Sequence, residues 1–287
     1  MMVLPGYSAD ELEKQYNIRL ARPDLDSAVI PDWTRRSAEF RARAKGSIDL
    51  AYGERPRERL DFFPAGDNDP VLVFFHGGYW QRFDKSVFSF IAAPFVQNGV
   101  SVAVVNYDLC PSVRMSDIPP QTRRAVGWIW RNAAELGFSR ERVFVSGNSA
   151  GGHITAMVMA THWREEAGGG LPADLVKGGI PISGLFELEP LRHTSINKGL
   201  GMDASEAASQ SPINVPPATD APQLVVCGAD ESAEFHRQSD RYAHIFTTPA
   251  RRMERYTVPG RDHLTVADEL ADESTVLFEK ALKLVGS

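Results

Sequence analysis

Val71-Leu72-Val73-Phe74-Phe75 constrains the fold of this chain more than any other stretch. Alternate side chains of a strand point to opposite faces, so an unbroken apolar run calls for cover on both faces. Ser101-Val102-Ala103-Val104-Val105, Val143 to Ser146 and Leu224-Val225-Val226-Cys227 repeat the signal, with Ile180 to Ser183 a weaker strand and Arg255 to Val258 the last. Between them lie segments of helical period. Ser86 to Gln97 is expected to be one helix with Gly99 as its stop. A second starts at Asp117-Ile118-Pro119-Pro120, buries Val126, Ile129, Trp130 and Ala133, and ends at Gly137. A closing helix carries Ala267, Leu270, Leu277, Ala281 and Leu282 on one face. Strands alternating with helices predict the α/β class, with a mostly parallel central sheet of about eight strands flanked by helices and right-handed crossovers.

The start of the chain reads differently. Residues 9 to 45 are expected to be helical and amphipathic, with a capping box at Ser8-Ala9-Asp10-Glu11 and a helix opened by Pro31-Asp32-Trp33. Ser47 to Tyr52 and Leu60 to Phe63 flank a turn at Gly53 to Pro56 and predict an edge hairpin. The expected organisation is therefore a small helical segment, 1–45, and a catalytic domain, 46–287. Residues 185–222 lack a clear period and are expected to form an excursion over the top of the sheet, bordering the active site. Residues 1–45 have two candidate roles, a cap over the pocket or a homodimer contact.

Net charge and cysteine usage exclude several classes. A formal charge of −6 argues against a nucleic-acid surface. The basic residues from Arg35 to Lys45 alternate with apolar positions and fit one helix face. No apolar run approaches a membrane span, and Met1 to Pro5 lacks the features of a signal peptide. Cys110 and Cys227 lie far apart and suit buried, reduced thiols in a cytoplasmic protein. The histidines show no metal-ligand spacing.

Chemistry-bearing residues stand at four strand ends, where open α/β sheets bind ligands. Gly147-Asn148-Ser149-Ala150-Gly151 is a Gly-x-Ser-x-Gly turn between a strand and a helical segment, the setting that holds up a serine as a nucleophile. Its flanking glycines let strand and helix approach each other. His76-Gly77-Gly78 follows the first strand, and the N–H groups of Gly77 and Gly78, with that of Ala150, can form an oxyanion hole. His76 itself reads as a structural hydrogen-bonding residue. Cys227-Gly228-Ala229-Asp230-Glu231 offers two carboxylates, and local sequence does not separate Asp230 from Glu231 as partner of the base. Val258-Pro259-Gly260-Arg261-Asp262-His263 supplies a histidine between the last strand and last helix. His236 and His244 fall on a helix, and His153 follows the serine too closely to be the base. The order serine, acid, histidine is that of α/β-hydrolases.

His76-Gly77-Gly78-Tyr79-Trp80, Tyr107-x-x-x-Pro111 and Gly147 to Gly152 resemble the esterase group related to hormone-sensitive lipase. The Tyr79-Trp80 extension, with Glu234-Phe235-His236-Arg237-Gln238-Ser239, is similar to the kynurenine formamidase branch and its bacterial esterase relatives. The likeness runs from about Tyr52 to the final helix. It implies the α/β-hydrolase fold and selects Glu231 over Asp230 as the acid, at the fourth position of the Gly-x-x-acid turn. It also supports Tyr79 beside the oxyanion hole. Asn148, where the family more often has histidine, and Cys110, commonly alanine, depart from the pattern and bear on substrate.

The chemistry expected is acyl transfer to water from a small ester or aryl formamide, with no cofactor. N-formylkynurenine is the best single named substrate. Tyr79, Trp80 and Asn148 are the expected substrate-binding side chains, with Phe83 a further candidate for an aromatic wall. The alternatives are a general short-chain carboxylesterase or amidase and, from another class, a non-catalytic hydrolase-fold ligand receptor. No apolar lid argues for a long-chain lipase.

Overall fold

The computed structural model describes residues 2–4, 6–166 and 168–286. A two-stranded ribbon, β1 (Met2–Leu4) and β2 (Tyr7–Ser8), leads into α1 (Ala9–Tyr16). The capping box forms as expected: Ser8 Oγ accepts from Glu11 N, and the Glu11 carboxylate accepts from Ser8 N at 2.8 Å. Then come α2 (Ile18–Ala21), one π-helical turn (Leu25–Val29) and α3 (Ile30–Arg43), with Pro31 in its first turn. The basic face of α3 is paired rather than free. Arg36 meets Asp268 at 2.7 Å and Arg41 meets the buried Asp61.

The main sheet contains β3 (Ser47–Ala51), β4 (Arg59–Phe63), β5 (Asp69–Phe75), β6 (Ser101–Val105), β7 (Phe138–Asn148), β8 (Val176–Ile182), β9 (Gln223–Gly228) and β10 (Met253–Val258). Their order across it is β10-β9-β8-β7-β5-β6-β4-β3. The hairpin strands β3 and β4 run antiparallel to their neighbours, and all other pairs are parallel. The pleat divides the apolar runs between two cores. Val71, Val73 and Phe75 face α5 (Ile118–Arg131) and α7 (Ala150–Met159), through Val126, Ile129 and Ile154. Leu72 and Phe74 face the other way, into a core with α3, α4 (Ala92–Gln97) and α12 (Val276–Gly286), through Trp33, Phe95 and Leu277. Burial on both faces is why these strands show no polar alternation.

The remaining helices are α6 (Ala133–Leu136), α8 (Asn197–Leu200), α9 (Ala204–Ser209), α10 (Ala233–Phe246) and α11 (Thr265–Asp268). Three expected helices are divided. The one from Asp117 to Gly137 breaks at Asn132 into α5 and α6. The segment from Ser86 to Gln97 begins as two 3-10 turns, Lys85–Val87 and Ser89–Ile91, and only then becomes α4. Pro94 has no N–H to donate, and its ring would crowd the carbonyl four residues back, so an α-helix cannot run through it undisturbed. The closing helix splits into α11 and α12 around Asp272, whose carboxylate accepts from Ser274 N at 2.9 Å and turns the chain. Trp130 and Leu282 are only partly buried. Trp130 carries the Arg140 guanidinium 5.2 Å over its ring.

Among the described residues, no helix is long and apolar enough to cross a membrane.

Candidate active site

Ser149 sits between the end of β7 and the start of α7, with φ 60° and ψ −118°. A non-glycine residue there is strained by about 1–3 kcal/mol, so its surroundings must hold it. They do so from both sides. Ser149 N donates to Ile182 O of β8 at 2.8 Å, and Ser149 O accepts from His153 N at 3.0 Å. The turn also needs bare backbone: a methyl on Gly151 would lie 1.9 Å from Phe75 O. The Ala150 N–H opens α7 and has no carbonyl one turn back within that helix.

The loop after β5 lies against this turn. A methyl on Gly77 would come within 3.0 Å of Asn148 O and 3.3 Å of Ser149 Cβ. Gly78 has φ 110°, and a methyl there would strike Arg82 O at 2.6 Å. Gln81 N and Arg82 N both return to Gly78 O, at 3.0 and 3.1 Å. Tyr79, Trp80 and Phe83 adopt positive φ in this tight turn. His76 is fully buried between the rings of Tyr107 and Phe88, with Nδ1 2.8 Å from Gly77 O. Burial pushes its pKa down to about 4, so the ring is neutral at pH 7 and a structural tie rather than a base.

Of the two adjacent acids after β9, Glu231 faces the histidine. Its Oε2 lies 2.7 Å from His263 Nδ1. The other oxygen accepts from Ser183 Oγ at 2.5 Å and Gly228 N at 2.7 Å. Burial pushes the Glu231 carboxyl up, but His263 and these hydrogen bonds outweigh it and hold it below the usual carboxylate range. Asp230 is exposed at the turn, where its N–H donates to Arg261 O at 3.0 Å. The loop carrying His263 is fixed by Asp262, whose carboxylate accepts from Leu264 N and Thr265 N and pairs with Arg22 at 2.6 Å. Phe235 packs on the imidazole, with ring centres 4.2 Å apart.

Ser149, His263, Gly77 and Gly78 line one cavity of about 210 Å³. Tyr79, Phe83 and Asn148 line it too, and Asn148 is otherwise buried. Trp80 does not. Its side chain is fully buried, and the indole meets the His153 ring edge-on at 4.9 Å, outside the cavity wall. The expectation that Trp80 contacts substrate is therefore corrected: the positive φ of the turn sends successive aromatic side chains to different sides.

Much of the remaining wall is made of residues not singled out individually in the sequence. Asn17, Ile18, Arg19, Leu25 and Trp33 come from the N-terminal segment, and Ser195 and Ile196 from the 185–222 excursion. The segment is tied to the site by several hydrogen bonds. Tyr79 Oη donates to Tyr16 O at 2.5 Å, Tyr16 Oη to Glu234 at 2.6 Å, and Ser232 Oγ to Gln15 O at 2.6 Å. The Glu13 carboxylate accepts from Ser195 N at 2.7 Å. Ser183, which steadies Glu231, was also missed. Its only sequence signal was its place at the carboxyl end of a strand. Among the described residues, no three His, Cys, Asp or Glu side chains are grouped to hold a metal ion.

A strained serine and an imidazole at one cavity, with bare backbone beside them and a buried carboxylate behind the imidazole, can carry out acyl transfer. Comparison with known proteins agrees. A family model described as BD-FAE matches residues 62–177. The kynurenine formamidase of Drosophila melanogaster is 30% identical over 95% of this chain and 92% of its own length. That of Danio rerio is 29% identical over 97% of each chain. Among solved structures, a candidate thioesterase from Silicibacter sp. TM1040 superimposes with a TM-score of 0.82 at 30% identity, covering 96% of this chain and 99% of its own.

Proposed function

Because this chain belongs to the kynurenine formamidase family of α/β-hydrolases, we propose that it removes the formyl group of N-formylkynurenine-type aryl formamides through an acyl-serine on Ser149. It is a hydrolase of esters or formamides, and small carboxylic esters share the same course. The observation that carries the reading is the 2.7 Å contact of Glu231 with His263 Nδ1, beside Ser149 in a shared cavity.

Glu231 accepts the Nδ1 proton of His263, which leaves Nε2 free as the base. Nε2 takes the Ser149 hydroxyl proton as Oγ attacks the formyl carbon. The carbonyl oxygen becomes an oxyanion held by the N–H groups of Gly77, Gly78 and Ala150. His263 then gives its proton to the aryl nitrogen, the C–N bond breaks, and the amine leaves. Water, deprotonated by His263, attacks the formyl-serine and releases formate. A formyl group is the smallest acyl group and asks for little room between Ser149 and the oxyanion loop. Tyr79, Phe83 and Asn148 bound the leaving group.

No group in this mechanism comes from a second chain, so a homodimer is not needed for the chemistry. The buried free thiols Cys110 and Cys227 support a reducing, cytoplasmic setting.

The test is a panel of N-formylkynurenine with short- and long-chain p-nitrophenyl esters. The formamide and short esters are expected to turn over and Ser149→Ala to abolish both. Undiminished turnover by Ser149→Ala would overturn the mechanism, and binding without turnover by the intact protein would make it a receptor.

A further inference from the structure

Two of the cavity's wall residues are arginines that share one acid. Arg19, on α2, places Nη2 3.0 Å from Asp26 Oδ1, and its Nη1 meets the other oxygen of that carboxylate. Arg82, on the turn after Gly78, places its own Nη2 3.0 Å from the same Asp26 Oδ1. Two guanidiniums from segments well apart in sequence thus converge on one oxygen atom, with one negative charge between two positive ones. Arg22, close by in sequence, shows the opposite balance, with Asp24 and Asp262 sharing a single guanidinium.

The surplus charge faces the cavity. Arg19 and Arg82 both line it, Asp26 does not, and no Asp or Glu is among the described residues of the wall. Glu231 is taken up by His263, and Glu13 by Ser195 and Asn17. Both arginine side chains are a little under half exposed, at 47% and 43%, so they stand at the solvent end of the pocket. The backbone of Arg82 lies against Gly78, which fixes this end relative to the oxyanion loop. The chain as a whole carries −6 and would repel an anion. Two guanidiniums at the mouth reverse that locally, and their planar donor forks suit a carboxylate.

We propose that Arg19 and Arg82 form a carboxylate-reading rim, so that the enzyme selects substrates bearing an anionic group at the end remote from the scissile bond. This rests on the hydrolytic reading above, and it names the side chains that set selectivity at that site. An incoming carboxylate takes the donors that Asp26 leaves unsatisfied. Asp26 keeps the two like charges together in the empty site and competes with the substrate for them.

The experiment compares two compounds with the same reacting group. One is 4-(2-formamidophenyl)-4-oxobutanoate, which carries a terminal carboxylate. The other is 2′-formamidoacetophenone, which is neutral. The readout is the ratio of their KM values within each variant, so a general effect on the cavity cancels. Arg19→Gln and Arg82→Gln are each expected to reduce the preference for the carboxylate about fivefold, the scale for partly exposed ion pairs. Asp26→Asn should change it in the opposite direction, favouring the carboxylate further. A ratio within twofold of wild type in both arginine variants overturns the proposal. The same ratio is measured as Kd by calorimetry in the Ser149→Ala background, alone and with each arginine change, where no turnover is needed. Turnover by Ser149→Ala would refute the acyl-serine mechanism, while the binding ratio would still decide the rim.

Discussion

Replacing Gly151 with alanine tests how the strained serine is held. The added methyl would sit 1.9 Å from Phe75 O, 2.7 Å from Phe75 C and 3.0 Å from His76 O. An ordinary non-bonded separation is about 3.5 Å, so α7 and the end of β5 must separate by more than about 1 Å. Backbone forms the clash, and no rotamer relieves it. Overpacking of this kind costs about 3 kcal/mol or more, and for a domain of this size each kcal/mol lowers Tm by about 2 °C. The same movement displaces Ser149 from Gly77 and Gly78. A shift of about 1 Å in a reacting group costs on the order of a hundredfold in rate. Gly99→Ala is the control: its φ is 75° with nothing within 4 Å, so it should cost only about 1 kcal/mol of backbone strain and leave kcat alone. Urea unfolding gives the stabilities, and kcat/KM on a short p-nitrophenyl ester gives the activity. Gly151→Ala within 1 kcal/mol of wild type and within threefold in kcat/KM, by these order-of-magnitude standards, would refute the reasoning.

Two further outcomes follow from buried side chains. Burial pushes His76 and His153 down to about 4. As pH falls from about 6.5, the unfolded value, towards 4, the unfolded chain takes up protons that the folded chain refuses. Stability is therefore complete above that window and falls as pH drops through it. Urea midpoints between pH 7 and 4.5 should show this slope reduced in His153→Gln; an unchanged slope would contradict it. Trp80→Phe is expected to cost about 1–2 kcal/mol in thermal or urea unfolding and to leave KM within about twofold. A tenfold rise in KM would return the indole to the substrate.

The core of the sheet was legible because burial on both faces leaves a direct trace in sequence. Val71 to Phe75 could hardly be anything but a central strand, and the residues after each such run fell where the site formed. The individual residues of the cavity wall were not legible for the opposite reason. Asn17, Arg19, Ser195 and Ile196 reach it from short helices and turns whose period is too brief to signal a face. Pro94 announced the broken helix before α4, yet the apolar spacing around it suggested continuity. The choice between Asp230 and Glu231 depended on the direction of a three-residue turn, which composition does not encode. Trp80 was misplaced because side-chain direction in a positive-φ turn cannot be read from its neighbours.

The central claim is that Glu231 orients His263 to activate Ser149, and one comparison tests it most directly. Glu231→Gln and Asp230→Asn each remove one charge from the same turn, and kcat is measured for both at pH 7. Glu231→Gln is expected to lower kcat by about 10⁴, because the amide cannot stabilise the imidazolium or enforce the tautomer. Asp230→Asn should stay within about threefold of wild type, as an exposed surface change. Loss of activity in Asp230→Asn with Glu231→Gln unaffected would contradict the account.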